Sequence, residues 1–574
     1  MGSVLSWITG PQKDPRTPVV GFAPRIKNIF RVHFRGLLGV LVPLLLLTWQ
    51  PSKGRHDITV RCIWILMFWF MLMQPMAAPA AGFIPLFMLP MFGVLDTVKV
   101  AGSYFNDSIC LFVVAGMLQM LLNSSGFDRR IILWLLCSGD NCQFAGKRLI
   151  FKACTAAFFL SMFSNRLITS STIIQFLTPA LTNLQSLTSK NRKEEPNYDE
   201  MRFIILNAVQ TSASIGSITI IHAALTPIAM RAIWSSNVGG SEEYADIFNY
   251  LGYTCFAFPV AFLMFIFNFL YHMMLINCVI GKAMSANSMT EMRNFLVKQQ
   301  NALPPRSCFE METVFFYLFF LVVCLFRWSE WLNIGWATYN SDMPGAPKIK
   351  DATVACLFLV ALSILPRSHN ILKYINAQKK SDLGNVKPES AILWWKFVDK
   401  NTYYGYIILL GGGVALNTAI KTTDLTKAVT SDYGTFITNK SWNTSIFIVC
   451  LISVLLANIM TGIAACCTFL PFVLNMAGEG VSEVWKKRLY LGTLGVGIGT
   501  SFGFVSPFYF TPAYFCHHTG KVPLKKMVKY GIGSAIICLI ILWLALCFYA
   551  PIIFDPEDKG IPVFTIGTQQ TTET

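Results

Sequence analysis

The sequence predicts an all-α polytopic membrane protein of about eleven transmembrane helices plus two re-entrant hairpins, arranged as an inverted two-fold repeat. Three observations predict it. The chain is 54% hydrophobic and only 13% charged over 574 residues, which no ordinary soluble globule is. Apolar runs long enough to cross a bilayer, or to dip in and return, recur from Leu37 to Ala550. Two of these runs, Phe158 to Leu181 and Ile446 to Leu474, are interrupted at matching places in the two halves of the chain.

The first interrupted run, FFLSMFSNRLITSSTIIQFLTPAL, carries Ser164, Asn165, Arg166, Thr169, Ser170, Ser171 and Thr172 inside bilayer-grade hydrophobe. Polar groups stranded at that depth cost several kcal/mol each unless they line a cavity or bind something. We therefore expect a re-entrant hairpin over about residues 149–186, bracketed by GKRL and SKNRKEEPNYDE and entering from the cytoplasm. The second hairpin, about 446–476, is flanked by SDYGTFITNKSWNTS and AGEGVSEVWKKR and enters from the opposite face. A broken helix follows each hairpin: FIILNAVQTSASIGSITIIHAALTP in the first half and GTLGVGIGTSFGFVSPFYFTPAYFC in the second. Such a pair of interrupted segments points to a binding site near the midplane, where the two tips meet.

In chain order, residues 1–35 are a basic cytoplasmic segment without an apolar core, and 36–276 form the first repeat. Within it, the Pro-rich patch QPMAAPAAGFIPLFMLPMFG is too broken for a regular helix and packs inside the protein. A span and an amphipathic helix follow, with Arg129 and Arg130 on the polar side, lying along the inner surface. Residues 277–312 are a cytoplasmic linker, 313–550 the second repeat and 551–574 an extracellular tail. In the second repeat KFVDKNTYYGYIILLGGGVALNTAI parallels the span before the first hairpin, and Gly411, Gly412 and Gly413 allow close helix packing.

The net charge of +16 sits in short loops beside apolar runs, the positive-inside pattern, and not in a nucleic-acid-binding patch. It places the N-terminus in the cytoplasm, the C-terminus outside, and the glycosylation sequons at Asn439 and Asn443 outside; the sequon at Asn123 falls inside. The sixteen cysteines are scattered through apolar runs and read as small hydrophobes. No paired acid and base or metal-ligand cluster appears, so an enzyme and a resident cofactor are not expected.

On FLSMFSN, WKFVD with YGYIILLGGGVALNTAI, TFLPFV, and FTPAYFCHHTGKVPLKKMVKYG, the chain resembles the divalent anion/sodium symporters, solute carrier family 13. The resemblance covers nearly the whole chain. It implies a homodimer in the plasma membrane, each copy with a scaffold domain and a moving transport domain cycling like an elevator. It also implies a small organic anion as substrate and sodium as coupling ion, held by a Ser-Asn-Thr motif at each hairpin tip. Carried over, the substrate residues are Ser164, Asn165, Arg166, Thr169, Thr461, Gly462, Thr511 and Pro512. The sodium residues are Ser164, Asn165 and Gly216 at the first tip and Thr461 and Gly462 at the second.

The departures from the family pattern set the chemistry. Arg166 stands where a small residue usually sits, and a permanent cation there can bind a carboxylate bidentately. At the second tip Thr461-Gly462 replaces Ser-Asn, with Ala457-Asn458 as the competing alignment, so one amide oxygen is lost from that sodium site. Thr511-Pro512 is kept but continues Ala513-Tyr514, and Phe508, Tyr509, Phe510, Tyr514 and Phe515 crowd that loop, as packing or to favour a bulkier anion. His222 either pairs with an anion or is a satisfied interior group. The function these residues imply is secondary transport of citrate- or succinate-class anions with sodium coupling reduced or lost. The alternatives are a transport-inactive binding or scaffold protein and a carrier of a bulkier or inorganic anion.

Overall fold

A computed structural model describes residues 21–46, 55–187, 196–237, 247–327, 349–368, 390–423, 440–476 and 489–554, with a few isolated positions between them. The first half contains α1 (Phe22–Leu46), α2 (His56–Met73), α3 (Asp107–Ser125), α4 (Phe127–Cys137), α5 (Gly146–Phe163), α6 (Arg166–Leu187), α7 (Tyr198–Ser217), α8 (Leu225–Asn237) and α9 (Tyr250–Val279). After the linker helix α10 (Ala286–Asn301) come α11 (Cys308–Leu325), α12 (Asp351–Ile364), α13 (Tyr404–Thr422), α14 (Trp442–Ile459), α15 (Gly462–Leu474), α16 (Leu489–Gly499), α17 (Thr511–His518) and α18 (Leu524–Leu544). No strand occurs among the described residues.

Asn and Ser start several of these helices for a local reason. The side chains of Asn106, Asn197, Asn249, Ser285 and Ser307 each accept from a backbone N–H of the first turn of α3, α7, α9, α10 and α11, satisfying donors a helix start leaves open. Seven described helical segments are long and apolar enough to cross a membrane, or eight if Trp395–Asn401 and α13, bent by 58°, form one span. Fewer long spans appear than the eleven expected: α12 and α16, among others, are apolar but shorter than a full span, and the runs α7/α8 and α16/α17 are broken. The outward faces carry exposed apolar side chains, such as Phe262, Leu263 and Phe267 on α9 and Ile532, Ile536 and Ile540 on α18, which lipid tails cover. The protein is therefore a multi-pass membrane protein.

The basic N-terminal segment is helical from Phe22 onward, earlier than its charge suggests. Ile26, Ile29, Phe30 and Phe34 recur at helical spacing between Lys27, Arg31 and Arg35, and long basic side chains can snorkel along such a face. The Pro-rich patch forms two short helices, Ala78–Ala81 and Ile84–Met91, docked on α13. A Cβ on Gly412 would lie 2.7 Å from the Gly82 carbonyl, and one on Gly82 2.5 Å from that of Ile408, so the backbones meet only because both residues are glycine.

The second half replays the first. The hairpin α5/α6 packs on α7 and α9, and the hairpin α14/α15 packs on α16 and α18. The returning arm of each hairpin crosses to the other half: α6 packs on α17, and α15 packs on α8. This exchange brings each tip beside the broken helix of the opposite repeat. On the α3 N-terminal side, a buried ion network joins the repeats: Arg231 of α8 lies 2.8 Å from Asp351 of α12, and Asp351 lies 2.6 Å from Arg327.

Candidate functional site at the hairpin tips

The two tips are built alike. In the first, α5 ends at Phe163, Ser164 and Asn165 are the linker, and α6 starts at Arg166. In the second, α14 ends at Ile459, Met460 and Thr461 are the linker, and α15 starts at Gly462. By position in the hairpin, Met460 corresponds to Ser164, Thr461 to Asn165 and Gly462 to Arg166. This offset of one residue from the expected alignment leaves a single hydroxyl, that of Thr461, on the second tip. Asn458, the competing residue, points away from the tip into the break behind it.

That break illustrates what holds unwound backbone inside a bilayer. Asn458 Nδ2 donates to the Phe502 carbonyl at 3.2 Å, its Oδ1 accepts from Val505 N–H at 3.0 Å, and Gln210 Nε2 donates to the Phe504 carbonyl at 3.2 Å. In the first break, after α7, Tyr253 Oη donates to the Ile218 carbonyl at 2.9 Å and Thr219 Oγ1 to the Gly216 carbonyl at 2.8 Å. Buried amide and phenol side chains thus take over bonds the missing helical turns would have made.

Around the first tip, Ser164 Oγ lies 2.5 Å from Asn123 Oδ1 and 2.8 Å from Asp128 Oδ2. Asn165 Oδ1 accepts from Leu167 N–H at 2.9 Å and so caps α6. Thr169, one turn in, is fully buried and its hydroxyl has no partner. The Arg166 guanidinium lies over the Phe510 ring, 4.7 Å from its centroid, with Tyr406 of α13 within electrostatic reach. Its Nη1 is buried without a hydrogen bond, and no described carboxylate pairs with it.

The remaining expected residues divide. Thr511, exposed, and Pro512, buried, open α17 directly after Phe510, so the first tip and the Thr-Pro turn do meet. Thr461 Oγ1 is buried and unpartnered, and a Cβ on Gly462 would lie 2.3 Å from the Thr500 carbonyl, so the second tip seats against the second break. Thr226, at the start of α8, hydrogen-bonds Ser501 there and touches the same tip, bringing the first break in from behind. Gly216 packs on the last turn of α5, beside Ser161 and one turn before Ser164. Its missing Cβ makes room for the Phe158 carbonyl and Ser161 Oγ on the arm of the hairpin, and its own carbonyl is engaged by Thr219. Of the aromatics, Phe510 is core, whereas Phe508 is 67% and Tyr514 46% exposed, with Tyr514 stacked on His518. Asn439 lies outside the described residues, and Asn443 is exposed in the first turn of α14.

Residues that sequence reasoning missed also converge here. Tyr317 of α11 donates to the Phe163 carbonyl at 2.6 Å and accepts from His222 Nε2 at 2.8 Å, while Gln119 of α3 reaches the same carbonyl at 3.4 Å. Asp128 reads in sequence as one charge of an amphipathic helix, and Asn123 as a sequon. Both are interior because α4 runs antiparallel to α5 and does not lie flat along the inner surface: Asp128 meets Ser164 at one end, and Lys152 Nζ donates to the Ser138 carbonyl at the other. The pairing of a carboxylate with a tip serine has no short-range sequence signal.

The family model described as the sodium:sulfate symporter transmembrane region matches residues 35–554. The protein "I'm not dead yet" of Drosophila melanogaster is 22% identical, with 92% of this chain and 90% of that protein covered. Solute carrier family 13 member 2 of Homo sapiens is 23% identical with 92% and 93% covered, and the sodium-dependent low-affinity dicarboxylate transporter 1 of Caenorhabditis elegans 23% identical with 91% and 90% covered. Among solved structures, the YdaH transporter of Alcanivorax borkumensis aligns with a TM-score of 0.48 at 10% identity, covering 81% of this chain and 90% of that one. With the family model spanning almost the whole described chain, the protein belongs to the divalent anion/sodium symporters, solute carrier family 13.

Proposed function

We propose that the protein is a secondary active transporter of organic di- or tricarboxylate anions of the citrate and succinate class, working as a plasma-membrane homodimer by elevator-type alternating access. Its family is one of transporters, so the chain is read as a carrier and not an enzyme. The observation that carries the proposal is Arg166: a guanidinium at a hairpin tip, stacked on Phe510, with a buried unpartnered Nη1 and no described acidic partner. An unpaired fixed cation inside a membrane protein is expensive unless an anion completes it. A carboxylate suits it because two parallel N–H···O bonds can form. Thr169, one turn into the same helix, carries a buried hydroxyl without a partner, and Thr511 opens α17 directly after the Phe510 ring on which Arg166 stacks.

The decisive experiment is uptake of labelled citrate, succinate and sulfate into cells expressing the protein, in sodium and in choline, with Arg166→Ala in parallel. Uptake of a carboxylate that Arg166→Ala abolishes is expected. Uptake that survives Arg166→Ala, or sulfate uptake alone, would sink the assignment of Arg166 or of the substrate class. The plain second tip, with Met460 and Gly462 where the first has Ser164 and Arg166, favours one other reading: a transport-inactive binding protein. Anion-dependent thermal stabilisation without flux would identify it.

A further inference from the structure

Behind the first tip, on the side away from Arg166, lies a second and oppositely charged arrangement. Asp128, in the first turn of α4, is 2% exposed. Its Oδ2 is 2.8 Å from Ser164 Oγ, and that hydroxyl is 2.5 Å from Asn123 Oδ1. A serine hydroxyl owns one proton and serves one acceptor at a time. Three oxygens therefore share one hydroxyl hydrogen, and both Asp128 Oδ1 and Asn123 Nδ2 are buried without a hydrogen-bond partner.

No described Lys, Arg or His neutralises this carboxylate. Its neighbour Arg130 is already paired with Glu310 at 2.7 Å and donates to the Pro304 carbonyl, and Arg129 is exposed. Tyr317, which faces it from α11, gives its proton to the Phe163 carbonyl. A buried carboxylate left uncompensated costs several kcal/mol, so the site calls for a cation. Carboxylate, amide and hydroxyl oxygens are the ligand types that hard metal ions take.

We propose that Asp128, with Asn123 and Ser164, forms a monovalent metal-cation site behind the first tip, giving the coupling ion of this chain a charged ligand. The site rests on the transporter reading and extends it. Ser164 looks toward the cation on the α3/α4 side, and Arg166, two residues on, looks toward the anion on the α17 side. A cation that fixes Ser164 thereby fixes the start of α6 from which Arg166 projects.

The test is thermal unfolding of the purified full-length protein titrated with sodium, lithium, potassium or choline chloride at constant ionic strength, with citrate as a separate ligand. Sodium or lithium should raise the midpoint of the native protein above choline, and Asp128→Asn should raise the half-saturating concentration by about tenfold or more, since it removes the site's only formal charge. Arg166→Ala should keep the cation response and lose the citrate response. Identical cation titrations for native protein and Asp128→Asn, or no cation response in the native protein, overturn the proposal. Should Asp128→Asn fail to fold, Asn123→Ala carries the test: a weakened sodium response supports the site and an unchanged one overturns it. A sodium response without any response to citrate or succinate, together with no uptake of either, would sink the transporter reading while leaving the cation site standing.

Discussion

Tyr317 Oη donates to the carbonyl of Phe163 at 2.6 Å, so a helix of the second repeat holds the last helical residue before the first tip. The same hydroxyl accepts from His222 Nε2, which ties the first break to the tip and leaves His222 Nδ1 buried and without a donor. Tyr317→Phe removes both bonds while keeping the ring. It should lower stability by about 1–3 kcal/mol, because a buried carbonyl and a buried imidazole N–H each lose a partner. Chemical or thermal unfolding in detergent measures it, and a change within experimental error would show that water replaces the hydroxyl.

Arg166→Lys separates charge from geometry. Lysine keeps the cation but has neither the planar fork for two carboxylate oxygens nor the flat face that stacks on Phe510. Anion affinity should fall by about tenfold, roughly the loss of one charge-assisted hydrogen bond, while cation-dependent stabilisation is kept. Competition uptake or anion-titrated melting gives the number. Full retention of affinity would mean that charge alone recruits the substrate.

The ion network should act as a unit. Arg231 and Asp351 are almost wholly buried, and Asp351 bridges Arg231 to Arg327. Asp351→Asn leaves two buried guanidinium groups facing a neutral amide and should destabilise by about 3–5 kcal/mol. The double variant Arg231→Met, Asp351→Asn should be less unstable than the sum of its singles, which a double-mutant cycle of melting or expression reads out. Strict additivity would show that the two charges do not interact.

Much of this architecture is legible in the sequence, and the reasons are local. Ser164 and Asn165 interrupt an apolar run, Gly411 to Gly413 announce a close backbone approach, and the Pro-rich patch advertises a broken segment. Each signal sits within a few residues of its consequence. The partners of the site are not local. Asp128 and Ser164 are 36 residues apart and Tyr317 and Phe163 are 154 apart, so no spacing or periodicity connects them. The second tip is no more local: Asn458 looks like a ligand in sequence, yet its amide is spent on Phe502 and Val505.

Asn458 accordingly yields a sharper prediction as a structural residue than as a ligand. Asn458→Leu strips the Val505 N–H and the Phe502 carbonyl of their partners in a segment with no helical bonds to fall back on. Stability should fall by about 2–4 kcal/mol, at the upper end for two buried backbone groups. Substrate affinity measured on the surviving folded fraction should change less than for Arg166→Ala. A variant of native stability with lost affinity would return Asn458 to the binding site.

The last prediction concerns topology and the two sequons. Asn443 lies one residue into α14, its carbonyl accepts from Trp543 Nε1 at 2.9 Å, and the hydroxyl of Ser445, the third residue of its sequon, is fully buried and bonded to the Ser441 carbonyl. A glycan acceptor has to be presented on an accessible surface loop, and a sequon whose hydroxyl is buried in a helix cannot be presented in that way. Modification should therefore fall on Asn439, four residues before Asn443. Asn439→Gln should abolish the glycosidase-sensitive mobility shift, and Asn443→Gln should leave it intact. A shift lost only in Asn443→Gln would mean that the start of α14 unwinds during modification. No shift in the native protein would place this loop on the cytoplasmic side and reverse the orientation that the basic loops imply.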